Sequence, residues 1–346
     1  MQRQAVPRSV VFDYAVAVCC LWIAYGFFVD AWAHGHVPIE TFFTPYHATF
    51  YLGMVAVVTV MATFAVRNHR AGYAWSESLP RAYRLAAIGI PFFFIAGLGD
   101  MIWHSLLGLE EGVDALLSPT HQLIGLSIFF VSSGPIRSVL ADRRHARDYA
   151  RQFPLVIGLA TWLVLVHFGT AYAFDPAAGR TNAPPPIVPF APTYLTALGI
   201  GYYKVSVGVL IVIAQSTIVA GFALWLVSRV RTGPGWITAM FVLGNAPAAA
   251  AFTNHTWLLA TTVLQSLVAG GLADLAVARW HPRPERPAAF TRFAVLVPVT
   301  YIGVYVLTTL ATDGVWWDWN VALGAWIWSG VCGYALSLLV RARRAA

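Results

Sequence analysis

Polar residues are so sparse along this chain that long apolar runs, rather than any alternation, carry its pattern. Runs able to cross a hydrocarbon core of roughly 30 Å need about 20 residues as helix. They lie near 10–32, 47–66, 83–105, 121–140, 153–173, 200–228, 235–252, 256–278, 291–311 and 321–340. The pattern predicts an all-α integral membrane protein with about ten transmembrane helices. The first four runs read as tandem helical hairpins in one orientation. Residues 1–140 then form a tandem-hairpin half, and 141–346 a six-span half entered through the basic segment 141–152. The longest connection, 174–199, carries too many prolines for a continuous helix. Its Ile187, Val188 and Phe190 lay it against the bundle, as a passive interfacial loop or as a lid.

Composition agrees with this pattern. The chain is 58% hydrophobic and 11% charged, with a mean hydropathy of +0.66, whereas soluble domains carry about 25% charged residues. The net charge is +7, but placement argues against nucleic acid as the partner. Arg3 and Arg8 precede the first run, and Arg67, Arg70, Arg81 and Arg84 follow the second. Arg143, Arg144, Arg147 and Arg151 follow the fourth, Arg229 and Arg231 the sixth, Arg279, Arg283 and Arg286 the eighth, and Arg341, Arg343 and Arg344 end the chain. Alternate connections hold Glu40, Glu110, Glu111, Asp114, Asp175, Asp313 and Asp318, with Arg180 the main basic exception. By the positive-inside rule both termini are cytoplasmic, in a membrane of the bacterial inner or plasma type, with the lipid bilayer as the first partner. The first run is too long for a cleaved signal peptide and lacks a small-residue cleavage site, so it reads as an uncleaved anchor. Cys19, Cys20 and Cys332 lie inside apolar runs and read as packing residues, not disulfides.

Against this background two stretches repeat one arrangement. Asp30 and His34 precede Thr44-Pro45-Tyr46-His47; Asp100 and His104 precede Ser118-Pro119-Thr120-His121. The Asp residues are 70 positions apart and the closing histidines 74, the signature of a duplicated two-span unit. Asp and His at i and i+4 share a helix face. Thr-Pro and Ser-Pro are helix starts, with the hydroxyl at the N-cap and Pro at the first position, which puts His47 and His121 in the first turn. A helix N-terminus disfavours imidazolium, so both stay neutral and available as ligands.

Ionisable residues inside a membrane are costly and usually functional. One carboxylate and two imidazoles with open positions suit iron, copper or zinc, and copper heads the affinity series. The expected metal ligands are therefore Asp100, His104 and His121 in one site and Asp30, His34 and His47 in another, both at the outer face. Polar glue between helix ends is the alternative. His36 either supplements the first site or faces solvent. His167 and His255, the latter beside Asn254, either complete a site or bond across helices. Asp274 reads as a structural, paired carboxylate or as part of an ion path, while His69, His145 and His281 carry no signal. Trp257, Trp316, Trp317 and Trp319 resemble an interfacial belt.

The segment from about 28 to 125 resembles the membrane-embedded, copper-binding component of the copper membrane monooxygenases, the particulate methane and ammonia monooxygenases. Asp30, His34 and His47 match that family's D-x3-H-x12-H spacing, with Thr44-Pro45 in place. Asp100, Trp103, His104, Ser118, Pro119 and His121 match its side-chain pattern, but with sixteen residues between the histidines. The resemblance implies copper bound within the membrane, a second adjacent site (Asn, His and His in the family), and companion membrane subunits. It also implies oxidation of a small or lipophilic substrate. Two other classes remain open: a zinc hydrolase acting on lipid, and a non-enzymatic copper-handling protein or permease. A permease would show broken helices and inverted repeats. Gly244-Asn245-Ala246-Pro247 is the clearest break, but the tandem hairpins run parallel.

Overall fold

The computed structural model describes residues 6–38, 41–108, 117–142, 148–170, 200–251, 256–312 and 319–342. Side chains at 35, 200–207, 251, 256–258 and 312 are not among those described. The described chain is helical and contains no strand. Ten long helices follow the apolar runs: α1 (Val10–His36), α2 (Pro45–Arg70), α3 (Arg84–Leu107), α4 (Pro119–Ala141), α5 (Tyr149–Gly169), α6 (Ile200–Arg229), α7 (Trp236–Ala251), α8 (Thr256–Trp280), α9 (Pro287–Thr312) and α10 (Trp319–Ala342). Two short 3-10 turns, Trp75–Glu77 and Arg81–Tyr83, join α2 to α3. Among the described residues, nine helices are long and apolar enough to cross a membrane, and α7, with 16 residues, is the short one. Outward positions are as apolar as the core: Val11, Leu52, Ile95, Leu98 and Ile327 are all exposed. A helix apolar on every side belongs in a membrane or a large core.

The chain divides into two compact units, Met1–Ala171 and Tyr172–Ala346. Helix α5 therefore packs with the hairpins, touching both α1 and α4. In the first unit α1 contacts α2, α4 and α5, and α4 contacts α3. Each hairpin closes on a glycine. A Cβ at Gly26 would lie 2.7 Å from Phe50 Cβ, and one at Gly89 would lie 2.8 Å from the Ser127 carbonyl oxygen. Without a hydrophobic drive between helices in lipid, such close approaches supply the packing energy. Phe12 stacks on Phe64 and Phe27 on Phe50, fastening α1 to α2 along their length.

An ionic cluster ties one end of this unit. Asp13, fully buried, accepts from Arg8 Nε at 2.6 Å, from the Tyr83 hydroxyl at 2.7 Å and from Ser138 at 3.1 Å. Arg8 also reaches Asp142 at 2.9 Å and donates to the Arg151 carbonyl. Burial alone would lower the Arg8 pKa; hydrogen bonds and charge from Asp13 and Asp142 raise it above its ordinary value. Four helix ends thereby share one charge-satisfied knot. Asp30 lies seventeen residues further along α1, or about 25 Å at 1.5 Å per residue.

The second unit is organised around α8 and α9. Helix α8 packs on α7 and α9, and α6 and α10 pack on α9 and on each other. Val212, Ile302, Val306 and Ala325 form a buried cluster where α6, α9 and α10 meet. Asp274 has a structural task here. Its carboxylate accepts from Ile237 N at 3.1 Å, Thr238 N at 3.0 Å and Thr238 Oγ1 at 2.7 Å, capping α7 from a neighbouring helix. Those amides have no partner within their own helix, and an anion there also meets the positive end of its dipole.

Removing one partner of a buried ion pair strands the other. Asp13→Ala is expected to lower stability by about 3–5 kcal/mol, and Asp13→Asn by less, because an amide oxygen still accepts from Tyr83. Denaturant unfolding in detergent reads both; an unchanged midpoint for Asp13→Ala would show the knot to be redundant.

Candidate metal centre

At the other end of the hairpins the two repeated motifs meet. The six motif residues form one continuous cluster. Asp30 Oδ1 lies 3.0 Å from His47 Nδ1 and Asp30 Oδ2 3.6 Å from His34 Nε2. Asp100 Oδ1 lies 3.1 Å from His121 Nε2 and 3.5 Å from His104 Nε2. The His47 and His104 rings then bridge the copies, with centroids 6.5 Å apart. Potential ligand atoms of Asp30, His34 and His47 all fall within 4.8 Å of one another, and so do those of His47, Asp100 and His104. His47 belongs to both groups. The second group thus differs from the set expected from the motif: His47 stands where His121 was anticipated, while His121 Nε2 approaches the same Asp100 oxygen, Oδ1, at 3.1 Å. Hairpin packing explains the exchange, because α2 lies against α3 through Phe50, Tyr51 and Phe93 and delivers His47 beside His104.

The helix starts behave differently in the two copies. Thr44 caps α2 as expected, its Oγ1 accepting from His47 N at 3.1 Å. Ser118 occupies the N-cap of α4, but its hydroxyl makes no capping bond. It lies 2.9 Å from Thr120 Oγ1, and Thr120 donates to Asp100 Oδ1 at 2.6 Å. The second copy spends its cap hydroxyl on orienting a carboxylate that is only 1% exposed.

His104 is anchored through the end of its own helix. Its Nδ1 lies 3.3 Å from the Gly108 carbonyl oxygen. A carbonyl only accepts, so Nδ1 carries a proton, and the neutral tautomer with this bond has its lone pair on Nε2. Gly108 reaches this position at φ +88° and ψ 174°, a conformation open essentially to glycine alone. The His104 Nε2 lone pair faces the Asp100 carboxylate at 3.5 Å and makes no hydrogen bond. Asp30 Oδ1 and Asp100 Oδ2 are likewise buried without a hydrogen-bond partner, the 3.0 Å approach of His47 Nδ1 to Asp30 lacking hydrogen-bond alignment. All three are buried acceptor atoms left without a hydrogen bond. Polar glue satisfies its members; these three atoms are left unsatisfied, on residues whose groupings could hold a metal ion.

Phe42, from the α1–α2 connection, covers the cluster, with its ring 4.8 Å from that of His47 and 6.1 Å from that of His104. On the other side His121 lines an apolar cavity of about 190 Å³, walled by Phe27, Gly125, Phe129, Leu165 and Phe168 of α1, α4 and α5. His36 stacks on Trp32, and its Nδ1 lies 2.8 Å from the Trp32 carbonyl, so it stands apart from the cluster. His167 is buried on α5 and belongs to neither ligand group. His255, Asn254 and the 174–199 segment lie outside the described residues, as does 109–116 between His104 and His121.

Sequence reasoning left out Thr120, Gly108 and Phe42. The first was legible as a hydroxyl beside the motif histidine, and the second as a glycine one turn past His104, a common helix stop. Phe42 carried no signal. Compared with protein-family models, curated proteins and solved structures, the chain gives no match.

Thr120→Val removes a hydrogen bond to a buried carboxylate. The expected loss is about 1.5–3 kcal/mol of stability in metal-free protein, read by thermal unfolding in detergent against Thr120→Ser, which should retain most of it.

Proposed function

We propose that this is an integral membrane metalloprotein of about ten spans, with cytoplasmic termini and an outer-face centre of copper bound by Asp30, His34, His47, Asp100 and His104. The observation that carries this reading is the pair of facing lone pairs, His104 Nε2 and the Asp100 carboxylate, with the His104 tautomer set by Gly108. Ligating histidines typically donate their second N–H to a carbonyl or carboxylate in this way. The donors are nitrogen and oxygen only, and such sites favour copper over iron or zinc on the general series. His121, bonded to Asp100, stands between the centre and the apolar cavity.

The reaction we infer is copper-dependent oxidation of a small, apolar substrate. Bound copper would supply dioxygen activation. The chain's own contributions are to fix the ligand tautomers, to shield the centre with Phe42, and to seat an apolar molecule beside His121. The motif resemblance to the copper membrane monooxygenases points the same way and adds companion membrane subunits as partners.

Elemental analysis after copper loading in detergent tests the metal. His47→Ala should lose all bound copper because both ligand groups use it, whereas His34→Ala should lose only part. Copper retained in full by His47→Ala would return the cluster to polar glue, and zinc in place of copper would favour hydrolysis. For the substrate, Gly125→Leu fills the cavity, since a side chain at Gly125 meets nothing within 4 Å. It should raise KM for small apolar substrates at least tenfold with copper content unchanged; an unaltered KM would move the substrate elsewhere.

A further inference from the structure

Tyr51 sits on α2 one turn after His47, and its hydroxyl oxygen is buried with no hydrogen-bond partner. Its ring packs on Phe93 at 5.5 Å and lies 6.2 Å from Phe42, which also covers His47 and His104. On α3, Phe93, Gly97, Asp100 and His104 form a single buried stripe at helical spacing. The Tyr51 hydroxyl is directed at that stripe. A Cβ on Gly97 would lie 2.7 Å from Tyr51 Oη, so the glycine leaves the space the oxygen occupies. Both Asp100 and Asp30 lie within Coulombic reach of it.

Packing alone does not account for this residue. Phe50 and Phe93 fill the surrounding space as plain phenyl rings, and a phenylalanine at 51 would avoid burying an unsatisfied hydroxyl. Asp100 Oδ1 already takes Thr120 and His121, while the Tyr51 O–H proton is committed to no acceptor. A phenol poised one turn beneath the ligand residues has a donor to give to whatever occupies the open coordination position.

We infer that Tyr51 is the hydrogen-bond donor of the centre, bonding to an oxygen-bearing or anionic exogenous ligand held at the metal. This rests on the copper reading above. Azide is the probe: it binds cupric centres as an anion, gives a charge-transfer band on binding, and accepts hydrogen bonds.

The test titrates azide into copper-loaded wild-type protein and Tyr51→Phe, following the charge-transfer band and the electron paramagnetic resonance spectrum, with copper content measured on the same samples. Tyr51→Phe should keep its copper and its unfolding temperature, since the lost oxygen has no partner in the protein. Its azide Kd should rise about tenfold, the worth of one hydrogen bond to an anion. Gly97→Ala, which displaces the hydroxyl and leaves the phenol intact, should weaken azide in the same direction. Equal azide affinity in wild type and Tyr51→Phe, with copper retained, overturns the donor role and leaves the copper reading standing. Loss of copper from Tyr51→Phe would make Tyr51 a ligand, which also overturns it as stated. A wild-type protein that takes up no copper, or shows no azide band, sinks the inference, and only the former sinks the copper reading as well.

Discussion

Two buried carboxylates and the imidazoles facing them are the constraint on which this bundle turns. A carboxylate in a low-dielectric setting is tolerable only when paired or ligated. Asp13 and Asp100 show the two solutions within one helical unit. Asp13 is fully compensated by a guanidinium, a phenol and a hydroxyl. Asp100 receives Thr120 and His121 on Oδ1, which His104 Nε2 also approaches at 3.5 Å, while Oδ2 stays without a hydrogen-bond partner. The first arrangement is complete as protein; the second leaves buried acceptor atoms unsatisfied.

This contrast orders the first unit. The knot at Arg8 and Asp13 joins the ends of α1, α3, α4 and α5. Glycine contacts at Gly26 and Gly89 bring each hairpin close along its length. Together they fix the axial register of the hairpins, and register is what sets His47 of one motif against His104 of the other. A slip of one residue on α2 would rotate His47 by about 100° away from α3. The second unit shows the same economy at Asp274, a buried carboxylate placed where unpaired amides already wait.

Most of the fold was legible. Apolar runs near 47–66 and 121–140 became α2 and α4 with boundaries within a few residues, because Thr44-Pro45 and Ser118-Pro119 are local helix starts that need no tertiary help. Individual ligand candidates were legible for the same reason: i, i+4 spacing places Asp30 with His34 and Asp100 with His104 whatever surrounds them. Their grouping was less so. Two motifs 70 residues apart read as two sites, since spacing within a hairpin says nothing about how one hairpin meets the next. Thr120, taken only as a spacer in the motif, proved to orient Asp100, and Ser118 left its capping role to support it.

By itself, then, the sequence determined the helical class, the order of the described helices, the starts of α2 and α4, and the Asp and His residues at one end, because these follow from hydropathy and short-range geometry. Tertiary structure alone decided that His47 is common to both ligand groups, that His121 lies between Asp100 and an apolar cavity, and that the Tyr51 hydroxyl lies beneath the cluster. Each of these depends on the relative rotation and register of α2, α3 and α4. Side-chain packing between helices sets those quantities, and no local signal in the chain encodes them.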